Sequence, residues 1–131
     1  MSNFMMLSNI FLFLPVVASA YVHEWIYFIF ASGISIFSTV YHYLKENHSK
    51  NKKLVSIVKK LDWVFAVGSY IYMYYFIFAE VTYSLHLILA ILLSMTAIFF
   101  WYGWKVGNYH KIHPWFHVFE GTISALIVLS K

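Results

Sequence analysis

Long, nearly uncharged apolar runs alternate with short polar breaks along the whole chain. Five runs, at residues 4–22, 25–44, 63–79, 81–104 and 114–130, fall within the range of about 17–25 residues that a helix needs to cross a bilayer. No internal repeat or low-complexity linker divides them. The pattern therefore predicts an all-α integral membrane protein, a single domain (1–131) built as a bundle of about five transmembrane helices.

Three boundaries of this pattern need comment. Only Glu80 separates the third and fourth runs, which indicates a very tight reversal or a misplaced boundary. Pro114 disfavours helical backbone at the residue before it, so we expect the fifth helix to begin at Pro114 with His113 as its cap residue. The first run ends in Ala-Ser-Ala at 18–20, a possible signal-peptidase site, but no Lys or Arg precedes it. We favour a retained helix, with a cleaved signal as the alternative.

Composition makes lipid the expected solvent. The chain has 131 residues, of which 62% are apolar and 11% charged, whereas soluble domains average roughly 45–50% apolar and about 25% charged residues. A domain of this length cannot bury so much apolar surface in its own core. It contains seven histidines and no cysteine, which excludes disulfides, thiolate zinc sites and iron–sulfur clusters. A metal ion would be held by histidines and carboxylates.

The positive charge is confined to one predicted side of the membrane. The net charge of +4 comes from lysines without any arginine, which argues against nucleic-acid binding. Five spans place loops 45–60 and 105–111 on the side of the N-terminus, and these loops hold eight of the nine lysines. The positive-inside rule then predicts a cytosolic N-terminus and cytosolic basic loops. The loop from Lys45 to Lys60 could also contact anionic lipids, although we favour the topology signal as its explanation.

The same span count brings five polar residues to a similar depth near the cytosolic face. Ser38 and His42 lie four residues apart, as do His113 and His117, and each pair shares one helical face. Three neutral imidazoles suit zinc and leave a fourth position for water. Asp62 would orient or deprotonate that water, and Ser38 would hydrogen-bond water or a developing oxyanion. The alternative is that these residues only pair helices, as polar residues in membranes often do.

Two further residues are weaker candidates. Glu120 lies three residues after His117 and would act as a second-shell partner of the metal site, as a general base, or as a helix-pairing residue. His110 is a possible spare ligand or second-shell residue, but placement at the membrane interface is the favoured interpretation.

The spacing of these residues resembles that of the CREST superfamily, which includes alkaline ceramidases, the adiponectin and progestin receptors, Per1 proteins and the TMEM8/myomaker group. The matching stretches are Ser38-Thr-Val-Tyr-His42, Leu61-Asp62 and His113-Pro-Trp-Phe-His117-Val-Phe. Within the first run, the stretch from Leu7 to Pro15 is most similar to the TMEM8/myomaker branch. The resemblance implies a seven-helix fold, here shortened by two helices, and a zinc site formed by the matched Ser, Asp and three His, with the three His as ligands. It also implies either hydrolysis of lipid amides or esters or, as in myomaker, promotion of membrane fusion.

These observations lead to three hypotheses. The first is a zinc-dependent lipid amide or ester hydrolase, with His42, His113 and His117 as metal ligands and Asp62 and Ser38 as catalytic residues. The second is a non-catalytic, myomaker-like or accessory membrane protein in which the same residues stabilise the bundle. The third is a haem protein with two axial histidines, which is ranked lowest because it gives the serine and the aspartate no role.

Overall fold

The structure, a computed structural model, describes residues 2–131. No strand occurs in this part of the chain, and the prediction of an all-α fold is confirmed. A broken first helix is followed by four continuous ones. In chain order the elements are α1 (Ser2–Ser8), a 3₁₀ turn (Asn9–Phe13), α2 (Leu14–Tyr21), α3 (Trp25–Glu46), α4 (Lys52–Glu80), a second 3₁₀ turn (Tyr83–Leu85), α5 (His86–Lys105) and α6 (Tyr109–Leu129).

Four helical stretches are long and apolar enough to cross a membrane, as expected for a membrane protein. They are Asn3–Tyr21, Trp25–Glu46, Tyr83–Lys105 and Tyr109–Leu129. The remaining helix, α4, has 29 residues and contains the predicted third span, 63–79. Four tyrosines within that span make it less apolar than the others. Many large apolar side chains are exposed on the outer faces of the helices, where a bilayer would cover them.

The prediction that residues 45–60 form a loop is wrong for most of this segment. The connection between α3 and α4 is only residues 47–51, and the lysine-rich segment after it is helical. The side chain of Asn51 accepts a hydrogen bond from the backbone N–H of Leu54 at 3.0 Å. This cap satisfies one of the free N–H groups of the first turn, so the helix begins well before the apolar run.

The predicted start of the last helix at Pro114 is also wrong. Helix α6 begins five residues earlier, where the Asn108 carbonyl accepts hydrogen bonds from the N–H groups of Lys111 and Ile112 at 3.0 and 3.1 Å. Pro114 lies inside the helix and removes one intrahelical hydrogen bond, the one that the His110 carbonyl would have accepted. His113 is thus a helical residue and not a cap, and it stands one turn from His117.

The first helix is broken where it packs against α3 and α6. Pro15 has no N–H to donate to the preceding turn, and the Ser35 hydroxyl of α3 donates to the free Leu12 carbonyl at 2.6 Å. Gly121 of α6 faces the same turn, and a Cβ atom there would collide with the Phe11 carbonyl. The glycine therefore lets α6 approach the backbone of the broken helix directly.

Helices α4 and α5 make few contacts with each other. Helix α4 packs mainly on α3, helix α5 mainly on α6, and contacts between α4 and α5 are sparse. Tyr70 and Tyr74 of α4 bond to the hydroxyls of Thr96 and Ser94 of α5 at 2.6 and 2.5 Å. Thr96 and Ser94 donate to carbonyls of their own helix, so the tyrosines are the donors across the gap. Beyond these bonds, toward Trp63, the helices border a cavity.

Candidate metal centre

Three histidines converge inside the bundle. His42 comes from α3, and His113 and His117 come from one face of α6. One ring nitrogen of each lies within 4.8 Å of the others, and all three residues are buried. Zinc–nitrogen bonds are about 2.0–2.1 Å long, so two ligands of one ion stand at most about 4.2 Å apart. A small inward movement of the side chains would therefore close this set onto an ion.

A serine from the first helix fixes the orientation of His117. The Ser8 hydroxyl lies 3.2 Å from His117 Nδ1 and donates its single hydrogen to the Met5 carbonyl at 2.8 Å. Ser8 therefore accepts from Nδ1–H, an assignment of the tautomer that follows from this hydrogen-bond network. Nε2 of His117 keeps its lone pair for a metal ion, an arrangement typical of metal-binding histidines.

Aromatic packing fixes His113. Its ring stacks on Tyr109 with a centroid distance of 4.3 Å and an interplanar angle of 23°, and it meets the ring of Phe100 at 5.5 Å. Within residues 2–131, Nδ1 of His113 is buried without a hydrogen-bond partner. Burying an unpaired polar atom is unfavourable, and a cation bound there would satisfy it. The three imidazoles thus fit a borderline-soft ion such as zinc.

A large cavity lies against the histidine cluster. Its volume is about 770 Å³, and His113 and His117 form part of its wall, which is within the size range of small-molecule sites. The exposed side chains of Trp63, Trp101 and Trp104 border it on α4 and α5. The cavity therefore opens sideways, between α4 and α5, toward the space that lipid would occupy.

The other predicted site residues divide into two groups. Ser38 of α3 is buried, Asp62 of α4 is half-buried, and Glu120 of α6 is buried, and all three line the cavity. The carboxylates of Asp62 and Glu120 do not join the cluster of potential ligand atoms formed by the histidines. His110 is exposed and lies outside both the cluster and the cavity wall.

Ser8 is the site residue that sequence reasoning missed. It lies more than a hundred residues from His117 in the chain, and a serine in an apolar helix usually serves close packing. Its position within the stretch that resembles the TMEM8/myomaker branch was the one available signal. The contact depends on the break in the first helix, which the apolar pattern does not predict.

Comparisons with protein-family models, with curated proteins and with solved structures give no match for this chain. The chemistry of the site is therefore inferred from its own residues, and the resemblance to the CREST superfamily stays a prediction.

Proposed function

We propose that this protein is a zinc-dependent intramembrane hydrolase that cleaves a lipid amide or ester. The observation that carries the proposal is a cluster of three buried histidines, two of which (His113 and His117) lie on the wall of a cavity that opens toward lipid. A reaction site below the membrane surface with a lateral opening suits a substrate that diffuses within the bilayer. The resemblance to the CREST superfamily points to the same chemistry.

The histidines supply a complete set of protein ligands for a catalytic metal ion. His42, His113 and His117 would hold zinc through three neutral imidazoles and leave a fourth position open. When bound, zinc polarises a carbonyl group and lowers the pKa of coordinated water toward 7. Ser8 keeps His117 in the tautomer that binding requires.

Asp62 and Ser38 have the chemistry that hydrolysis needs beside the metal. Asp62 faces the cavity from α4, where its carboxylate would accept a proton from the attacking water and return it to the leaving group. Ser38 lies one turn before His42 on α3, where its hydroxyl would donate a hydrogen bond to the developing oxyanion.

Two lysines are proposed to bind the headgroup of the substrate. Lys45 and Lys59 line the cavity together with Asp62, at the end of the bundle that the positive-inside rule assigns to the cytosol. Their ammonium groups would attract an anionic lipid headgroup, each contributing about 1 kcal/mol near a charged membrane surface. The proposed partners are thus membrane lipids of the cytosolic leaflet.

Binding of haem by two histidines is less well supported. The His113 ring lies 4.4 Å from His117 and 5.2 Å from His42, measured between ring centroids. A porphyrin between His42 and His117 would need the space that this third ring fills.

Hydrolysis can be tested on protein reconstituted in lipid nanodiscs and loaded with zinc. We expect release of fatty acid from at least one member of a panel of long-chain amides and esters. Asp62→Asn should lower the rate by about 10²–10⁴-fold, the usual contribution of general acid–base catalysis, while zinc content stays unchanged. Glu24→Gln removes a carboxylate paired with Lys131, away from the cavity, and serves as the matched control.

Two outcomes would contradict the proposal. If the Asp62→Asn variant were as active as the wild type, Asp62 would not be the proton acceptor of the reaction. A zinc-loaded protein that cleaves no substrate would favour the accessory or fusion-type role, in which the metal only stabilises the packing of the helices.

A further inference from the structure

The lysine, aspartate and glutamate residues that line the large cavity in the described part of the chain are Lys45, Lys59, Asp62 and Glu120. Of these, Glu120 has no role in the proposed function. Glu120 is 4% exposed and lies three residues after His117 on α6, a rise of about 4.5 Å along the helix. It borders both the large cavity and a small one of about 10 Å³ behind it. Because α6 runs away from the proposed cytosolic face, Glu120 lies deeper in the membrane than the histidines.

Nothing in the described part of the chain neutralises or hydrogen-bonds this carboxyl group. The one ion pair within residues 2–131 joins Lys131 to Glu24. The nearby Tyr70 hydroxyl donates to Thr96, and the Tyr27 hydroxyl donates to the Ser124 carbonyl at 2.7 Å. Both neighbouring donors are therefore already used, so the Glu120 carboxyl group borders the cavity without a protein hydrogen-bond partner in residues 2–131.

A purely structural role does not explain this arrangement. An acidic residue that pairs membrane helices contacts a donor on a neighbouring helix, and Glu120 contacts none. Ser69 of α4 lines the small cavity with Glu120, and its hydroxyl oxygen is buried without a partner. Two polar groups from different helices thus border one small cavity without a protein partner, and one of them, Glu120, also borders the large cavity.

We infer that Glu120 is a recognition point for a hydrogen-bond donor, a hydroxyl or an amine, on the lipid that occupies the cavity. The hydrogen-bond donor of the lipid would contact Glu120 about one helical turn deeper than the histidine cluster. In a lipid whose carbonyl group lies at the histidines, this donor would be only a few bonds from the carbonyl. The ligand is therefore a hydroxylated or aminated long-chain lipid and not a plain hydrocarbon chain. The inference rests on the lipid-binding cavity of the proposed function, but it requires neither the metal nor hydrolysis.

Tryptophan fluorescence can test this inference without an activity assay. Trp63, Trp101 and Trp104 border the cavity, so replacing Trp25 and Trp115 by Phe leaves reporters only there. In bilayers of a dibrominated phosphatidylcholine, a bound acyl chain quenches these tryptophans. Hexadecanol, hexadecylamine and the donor-free methyl ether of hexadecanol are then added as competitors that relieve the quenching.

In the wild-type background we expect the alcohol and the amine to relieve quenching at roughly tenfold lower concentration than the ether, which corresponds to one net hydrogen bond. Glu120→Leu should remove this preference for both donors, and the matched control Phe119→Leu should keep it. Equal potency of all three competitors in the wild type, or an unchanged preference in Glu120→Leu, would overturn the inference.

A further variant separates this inference from the proposed hydrolase. His113→Ala/His117→Ala removes the proposed metal ligands and should keep the preference for donor-bearing chains. Loss of the preference in this variant would assign donor recognition to the histidine cluster and would overturn the role of Glu120. Absence of hydrolysis with the preference intact would refute only the enzyme.

Discussion

The two sides of the bundle differ in how closely their helices approach. On one side, α6 contacts the backbone of the broken first helix at Gly121, and Ser35 and Ser8 tie that helix to α3 and to His117. On the other side, α4 and α5 are joined by hydrogen bonds at Tyr70 and Tyr74 and diverge around a cavity. Close packing on one side thus holds the histidine cluster in position, whereas sparse packing on the other side leaves a cavity beside it.

The largest effect is expected on the closely packed side. Gly121→Ala would push a methyl group into the Phe11 carbonyl, and because backbone cannot rotate away, overpacking should lower the free energy of unfolding by about 1–3 kcal/mol. Gly68→Ala is the matched control on α4, where the new Cβ meets the edge of the Phe30 ring at 2.8 Å. A side chain can move, so this change should be smaller. Equal losses, measured by denaturant unfolding in detergent, would contradict the comparison.

Metal affinity should depend on the first helix through Ser8. Ser8→Ala removes the acceptor for His117 Nδ1–H, and loss of such a partner typically lowers metal affinity 10–100-fold. Ser8→Thr keeps the hydroxyl and should restore most of the affinity. Ser19→Ala, whose hydroxyl bonds only to carbonyls of its own helix, is the control. Chelator competition measures the zinc affinity. An unchanged affinity in Ser8→Ala would show that Ser8 does not support metal binding by His117.

Where α4 and α5 border the cavity, loss of a single hydrogen bond should lower the free energy of unfolding by a smaller amount. Tyr70→Phe removes the donor to Thr96 across the gap between α4 and α5 and should lower the free energy of unfolding by about 0.5–1.5 kcal/mol. Tyr75→Phe changes an exposed tyrosine on the same helix and should have no effect. If both substitutions behave alike, the hydroxyl bond does not hold α4 to α5.

The smallest effect is expected at the exposed ion pair between Lys131 and Glu24. The Glu24 carboxylate raises the pKa of Lys131 above its ordinary value of 10.5. Any stabilisation by the pair is therefore present below pH 10.5 and lost as the pH rises through the raised pKa. Lys131→Ala should shift the melting temperature less than Tyr70→Phe, and the difference from wild type should vanish above that pKa. A difference that grows at high pH would contradict this sign.

Much of the site follows from the sequence because helix count and spacing fix it. Apolar runs predict the helices, and four-residue spacing places His113 and His117 on one face of α6. Because two helices, α4 and α5, lie between α3 and α6, α6 begins at the end of the bundle where α3 finishes. The meeting of His42 with these two residues required no knowledge of packing detail. Asp62 reaches the same cavity by the same reasoning.

Other features depend on interactions that no periodicity encodes. The cap at Asn51 extends α4 into a segment that its charges suggested was a loop. Pro114 lies inside α6 because hydrogen bonds to Asn108 already form the turn before it. The contact of Ser8 with His117 needs the break near Pro15, and the cavity exists because α4 and α5 diverge. The Asn51 cap and the Asn108 turn are local interactions, whereas the Ser8 contact and the cavity are tertiary and determine the surroundings of the histidine cluster.

Metal analysis of the protein purified in detergent tests the central claim most directly. We expect about one zinc ion per chain in the wild type, loss of the zinc in His113→Ala/His117→Ala, and full retention in His110→Ala, whose side chain lies outside the cluster. A wild-type protein without metal, or a double variant that still binds one zinc per chain, would contradict it.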